Sequence, residues 1–108
     1  MIPSEFLDDY GYLANYDGYA ASLGVRSFHD GRINAAFEAR LCDELPFIVD
    51  ADEGTLGLWH QPNPVAERLS DIWFVYWLGR INGRGRVRYM FAQEGDAIIA
   101  RFHVQGST

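Results

Sequence analysis

Lysine is absent from this chain, cysteine occurs once, and the longest uninterrupted apolar run, residues 72–78, has seven members. A membrane-spanning helix needs about 18 or more apolar residues in a row, so no span is expected. The lone thiol, Cys42, cannot form an internal disulfide, and a chain without disulfides is expected in a reducing, cytoplasmic compartment. The opening Met-Ile-Pro-Ser-Glu shows no basic region followed by an apolar stretch, so no secretory signal is expected. Motifs of metal and cofactor chemistry are lacking as well. His29, His60 and His103 lie far apart, without His-x-x-x-His or Cys-x-x-Cys spacing, and neither a metal nor a cofactor is expected. There is no glycine-rich phosphate loop and no Gly-x-Ser-x-Gly, so no catalytic residue is assigned. Asp50-x-Asp52-Glu53-Gly54 resembles the start of a calcium loop but lacks the third oxygen ligand and the distal glutamate.

What is present is a folding composition. The chain has 108 residues, 48% of them hydrophobic and 15% aromatic, enough for a single domain with its own core. All nine basic residues are arginine, which shares GC-rich codons with alanine and glycine, so genome composition accounts for the bias. The net charge of −6 is unevenly placed. Residues 1–54 carry eleven acids against three arginines, a formal −8; residues 55–108 carry four acids against six arginines, a formal +2. An acidic half repels nucleic-acid phosphates and anionic lipid and attracts basic protein surfaces. A basic protein is therefore the expected partner, rather than nucleic acid or a membrane.

Local patterns predict the elements. Ser4 can cap a first helix with Glu5, Asp8 and Asp9 in its first turn; Phe6, Tyr10 and Leu13 recur at helical spacing, and the helix is expected to end near Asn15. Asp17-Gly18 reads as a turn, with a short separate turn over 19–23 closed by Gly24. Ser27 and Asp30 fit a capping box for a second helix over 28–44, with Ile33, Ala36, Phe37 and Leu41 inward and Pro46 as its stop. Residues 47–49 and 55–59 read as short strands, and Asn63-Pro64 as a helix start with Val65, Leu69 and Ile72 buried. The run 72–78 is rich in aromatic and β-branched residues and reads as a strand. Asn82-Gly83-Arg84-Gly85 makes a turn, Val87, Tyr89 and Phe91 alternate with Arg86, Arg88 and Met90 in a strand, Glu94-Gly95-Asp96 turns again, and 97–104 reads as a last strand.

The expected fold is α+β, one domain over 1–108, with N-terminal helices on one face of a curved antiparallel sheet in the order α-α-β-β-α-β-β-β. That order is similar to the cystatin-like, nuclear-transport-factor-type folds, in which a sheet curls around a helix. The resemblance lies in element order, which carries no function by itself.

Two functional readings follow. The first is a non-catalytic, acidic inhibitor or immunity-type protein, bacterial or phage-encoded, that occupies a basic site on a toxin or nucleic-acid-processing protein. Its candidate surface joins Asp8, Asp9, Tyr12, Tyr16, Asp17 and Tyr19, where tyrosines offer contact area among steering carboxylates, to a second acidic zone at Asp50, Asp52 and Glu53. The alternative is a small-molecule-binding domain or enzyme of the cone type, with His60, Tyr89, His103, Trp73 and Trp77 lining a pocket. Arg80, Arg84, Arg86 and Arg88 form a basic hairpin that could contact phosphate, pair with the chain's own acidic half, or join with the aromatic run in a homodimer.

Overall fold

The sheet is built around a tight turn. Asn82 and Gly83 both take positive φ, 54° and 78°, the backbone of a two-residue type I′ connection, and they fold β4 (Trp73–Ile81) back on β5 (Arg84–Phe91). β3 (Phe47–Asp52) pairs antiparallel with the other side of β5, so the strand order is β3-β5-β4. A computed structural model of the chain describes residues 1–53 and 67–106. In chain order the remaining described elements are a 3₁₀ turn (Ser4–Phe6), α1 (Tyr16–Ser22), β1 (Phe28–His29), β2 (Arg32–Ile33), α2 (Ala35–Glu44) and, after β5, α3 (Glu94–Gly106). The class is α+β with an antiparallel sheet, as the element pattern predicts.

Side chains alternate across the pleat. Trp73, Val75, Val49, Val87, Tyr89 and Phe91 form one buried layer, closed by Ala97 and Ala100 of α3. Phe74, Tyr76 and Met90 point the other way, where Phe37, Leu41 and Leu45 of the α2 region and Tyr19 and Ala20 of α1 close a second layer with Ile2 and Leu13. The N-terminal helices thus cover one face, as expected, and α3 covers the opposite face.

Several segments depart from the local reading, each for a tertiary or turn-chemistry reason. The expected helix through residue 15 is a single 3₁₀ turn. After it, the Asp8 carboxylate accepts from the backbone N–H of Tyr10 (2.8 Å) and Tyr12 (3.0 Å), an Asx-type turn that competes with helix. The chain then docks on the edge of β4: Trp73 N–H donates to Gly11 and Leu13 N–H to Trp73, at 3.1 and 3.0 Å. Gly11 has φ 78°, and a Cβ there would stand 3.0 Å from the Asp71 carbonyl, so glycine permits this approach. Asn15, expected to end a helix, instead begins α1 by accepting from Gly18 N–H at 3.0 Å, and Asp17 lies in the favourable first turn rather than in a separate turn.

The expected helix over 28–44 starts seven residues late, at Ala35. Asp30 and Gly31 both take positive φ (51° and 77°), making the short β1–β2 hairpin, and Asn34 supplies the cap. Ser27 donates its hydroxyl to Asp17 instead of capping. Phe37 and Leu41 are buried as expected, whereas Ala36 is exposed. The expected last strand over 97–104 is the helix α3. Asp96, Ala97 and Ala100 are buried and Val104 half-buried, at spacings of one, three and four, which a helix brings to one side; the small alanines let it lie close on the sheet. The strand expected over 55–59, the Asn63-Pro64 helix start, Val65 and His60 lie outside the described residues.

Two buried polar groups behave oppositely. Asp96 accepts from Ser70 N–H (2.9 Å), Ser70 Oγ (3.0 Å) and Asp71 N–H (3.1 Å), tying α3 to the approach to β4. The Tyr89 hydroxyl is buried without a hydrogen-bond partner among the described residues, and burial pushes its pKa up to about 12. Asp96→Ala should cost about 3 kcal/mol in urea unfolding, since it removes the three hydrogen bonds that the buried carboxylate accepts, whereas Tyr89→Phe should be neutral or stabilising by up to about 1 kcal/mol. A loss above about 1 kcal/mol for Tyr89→Phe would mean that the hydroxyl is satisfied.

Candidate functional site

The second acidic zone and the basic hairpin meet across the β3–β5 ladder. Register places Asp50 opposite Arg88 and Asp52 opposite Arg86. Arg88 grips Asp50 through Nε (2.8 Å) and Nη2 (3.0 Å), a two-pronged fork. Asp52 takes Arg86 Nη1 at 2.8 Å and Arg84 Nη1 at 3.2 Å. Hydrogen bonding from Arg86, with the charge of Arg84 behind it, holds the Asp52 carboxyl below its usual range. The ladder runs inward: Arg88 makes a long 3.5 Å contact to the Tyr76 hydroxyl, which donates to Glu38 Oε2 at 2.8 Å. Burial first, then the Glu38 bond, pushes the Tyr76 phenol up to about 12. Glu53 is exposed, and its backbone N–H donates to the Gly85 carbonyl at 2.8 Å.

The tyrosine–aspartate segment divides by depth. Tyr19 is 3% exposed, in the α1–α2 layer. Tyr16 packs edge-on against Phe28 and tilted against Phe74, and Tyr12 sits between Trp73 and Phe74 with ring centroids 4.6 and 5.8 Å away. Burial, aided by Tyr16 and Asp8, pushes the Tyr12 phenol well above its ordinary value. These three rings are occupied with the core. Asp8 and Asp9 stay on the surface, and Tyr10, expected from its helical spacing to face the core, is exposed beside them because the segment is not helical. Asp17 is exposed but accepts the Ser27 hydroxyl.

The Asp71 backbone lies against the segment that carries Asp8 and Asp9, although 62 residues separate it from Asp9. The Gly11 backbone lies against the Asp71 carbonyl, and the Tyr10 carbonyl accepts from Trp73 Nε1 at 3.1 Å. The Asp71 carboxylate is fixed by Ile72 N–H (2.7 Å) and Gln93 Nε2 (2.9 Å). Among the described residues no arginine or histidine lies within ion-pairing distance of Asp8, Asp9 or Asp71. This acidic rim and the arginine tip occupy opposite ends of β4, about 25 Å apart at the rise of an extended strand. No sequence pattern could have found Asp71, because only the docking of the N-terminal segment on β4 places it there.

The described residues of the pocket reading are dispersed. Tyr89 and Trp73 are buried in the layer under α3, His103 is half-buried on α3 within 3.5 Å of Arg68, and Trp77 lies over Gly85 at the sheet's edge. An open cleft of about 810 Å³ lies elsewhere, between the β1–β2 hairpin and β4, with Asp30, Arg32, Glu38, Tyr76 and Arg80 on its walls. Its charges are mixed. No group of three potential metal ligands occurs among the described residues.

The Asp52 ladder should leave a pH signature. Arginine neighbours lower the folded-state pKa of Asp52, so its contribution to stability is present above the unfolded carboxylate value of about 4 and is lost as pH falls through the lowered value. Asp52→Asn should lower the urea midpoint at pH 7 and leave it nearly unchanged at about pH 2. An equal loss at both values would assign the effect to packing. Compared with known proteins, the chain matches no family model, no curated protein and no solved structure.

Proposed function

We propose that this chain is a non-catalytic protein-binding module, an inhibitor or immunity-type protein of a bacterial or phage cytoplasm. In this proposal the acidic rim, Asp8 and Asp9 beside Tyr10 with Asp71 on the adjoining approach to β4, docks on a basic site of a toxin or nucleic-acid-processing protein. The observation that carries it is the contrast between the two acidic zones. Asp50 and Asp52 spend their charge on the chain's own arginines, whereas the rim has no cationic partner among the described residues. Carboxylates left unpaired on a surface keep their long-range field, which accelerates encounter with a basic protein. The hydrogen bonds to Asp8 and Asp71 hold the charges in place before binding, which reduces the ordering cost of association. Tyr10 supplies the rigid, half-apolar ring that anchors such contacts.

The test is capture of basic proteins on immobilised wild type, on Asp8→Arg/Asp9→Arg, and on Glu53→Arg as a single charge-reversal control at the far end of the sheet. A specific basic protein should bind wild type and the control at low salt, elute at high salt, and associate roughly tenfold or more slowly with the double variant. Equal association with all three would remove the rim from the binding surface and the proposal with it.

A further inference from the structure

The outer side of α3 carries two large apolar residues that the described residues leave exposed. Phe102 is 69% exposed and Ile98 is 42% exposed. They stand four apart, one turn on the same stripe. Glu94, a further turn back, continues the stripe, and Arg101 flanks it; both are exposed. The opposite side of α3 is filled by Asp96, Ala97 and Ala100, so the helix is anchored and the stripe is displayed on a fixed support. Exposed apolar residues at helical spacing on a rigid helix are what helix-on-helix docking requires.

We propose that α3 packs antiparallel on α3 of a second copy of this chain, about a twofold axis at Ile98. The charge pattern selects this occupant. Glu94 lies four residues before Ile98, about 6 Å along the axis, and Arg101 three residues after it, about 4.5 Å. An antiparallel twofold reverses one helix, so Glu94 of each copy comes level with Arg101 of the other to within about 1.5 Å. Both residues project to the same flank of the Ile98–Phe102 stripe at 100° per residue, so the two ion pairs form side by side rather than across the apolar seam. Among the described residues Arg101 makes only a long 3.5 Å contact to the Ile48 carbonyl, and neither residue has an ion pair. The stripe is therefore complementary to itself, the condition for an isologous interface. A parallel pairing would set Glu94 against Glu94 and Arg101 against Arg101. The acidic rim residues Asp8 and Asp9 take no part, so dimerisation and capture of a basic partner are separable. With two apolar anchors per copy the dimer should be weak and reversible on dilution.

Sedimentation velocity from about 5 to about 500 µM, where mass action shifts a weak dimer, tests this. Wild type should move from monomer towards dimer across the range. Phe102→Asp should stay monomeric while keeping the wild-type melting temperature at low concentration, because the ring is mostly exposed. Arg101→Glu should weaken the dimer about fivefold or more, and Glu94→Arg/Arg101→Glu should restore it to within about twofold. Wild type that stays monomeric throughout would overturn the proposal. So would a dimer indifferent to Phe102→Asp, or a charge swap that fails to restore what the single reversal removed.

Discussion

β5 is flanked by strands on both edges and buried on both faces over its C-terminal half. Val87, Tyr89 and Phe91 project one way and Met90 the other, all within a few per cent of complete burial. A three-stranded sheet with two apolar faces is unstable unless both are covered, since each large side chain left in water would forfeit about 1.5–3 kcal/mol. The helices follow from that demand. α1 and α2 close the Met90 face, and α3, with alanines against the sheet, closes the Tyr89 face. The same demand draws the N-terminal segment onto the edge of β4, where Tyr12 roofs Trp73 and Phe74.

Charge is arranged around this double core rather than within it. Along β5 the apolar residues end where Arg88, Arg86 and Arg84 begin on one face, and the facing positions of β3 are Asp50 and Asp52. The result is a neutralised ladder at one end of the sheet and an unneutralised acidic rim at the other. The net charge of −6 is therefore a poor guide to the surface a partner would meet. Partly exposed ion pairs of this kind contribute modestly to stability. Their larger consequence is to take two of the most conspicuous acids out of long-range play.

Much of the fold is visible in local chemistry. The alternation at 84–91, the aromatic run beginning at residue 72, the Asn82-Gly83 turn and the buried pair Phe37 and Leu41 each read correctly because strand and helix periods are properties of short windows. The failures have one cause in common. Asp30-Gly31 competes with a Ser27 cap for the same stretch, and the hairpin prevails. The segment 97–104 holds both a β-branched pair and a helical stripe of alanines, and the stripe prevails because a sheet face needs a cover. In the candidate site, Asp8 and Asp9 were legible from charge alone, whereas Tyr12, Tyr16 and Tyr19 had the composition of an interface but the packing of a core.

The sequence by itself determined the α+β class, the side-chain parity of β4 and β5, the tight turn between them and the surplus of negative charge, since all of these are local periodicities or sums. Only the tertiary structure decided which acids are spent on arginines, which tyrosines are buried, that the Asp71 backbone lies against the Asp8–Asp9 segment, and that Ile98 and Phe102 remain outside. Those outcomes depend on strand register and on which segment reaches a vacant sheet face or edge. Both are set by contacts between residues tens of positions apart, to which no short window of sequence has access.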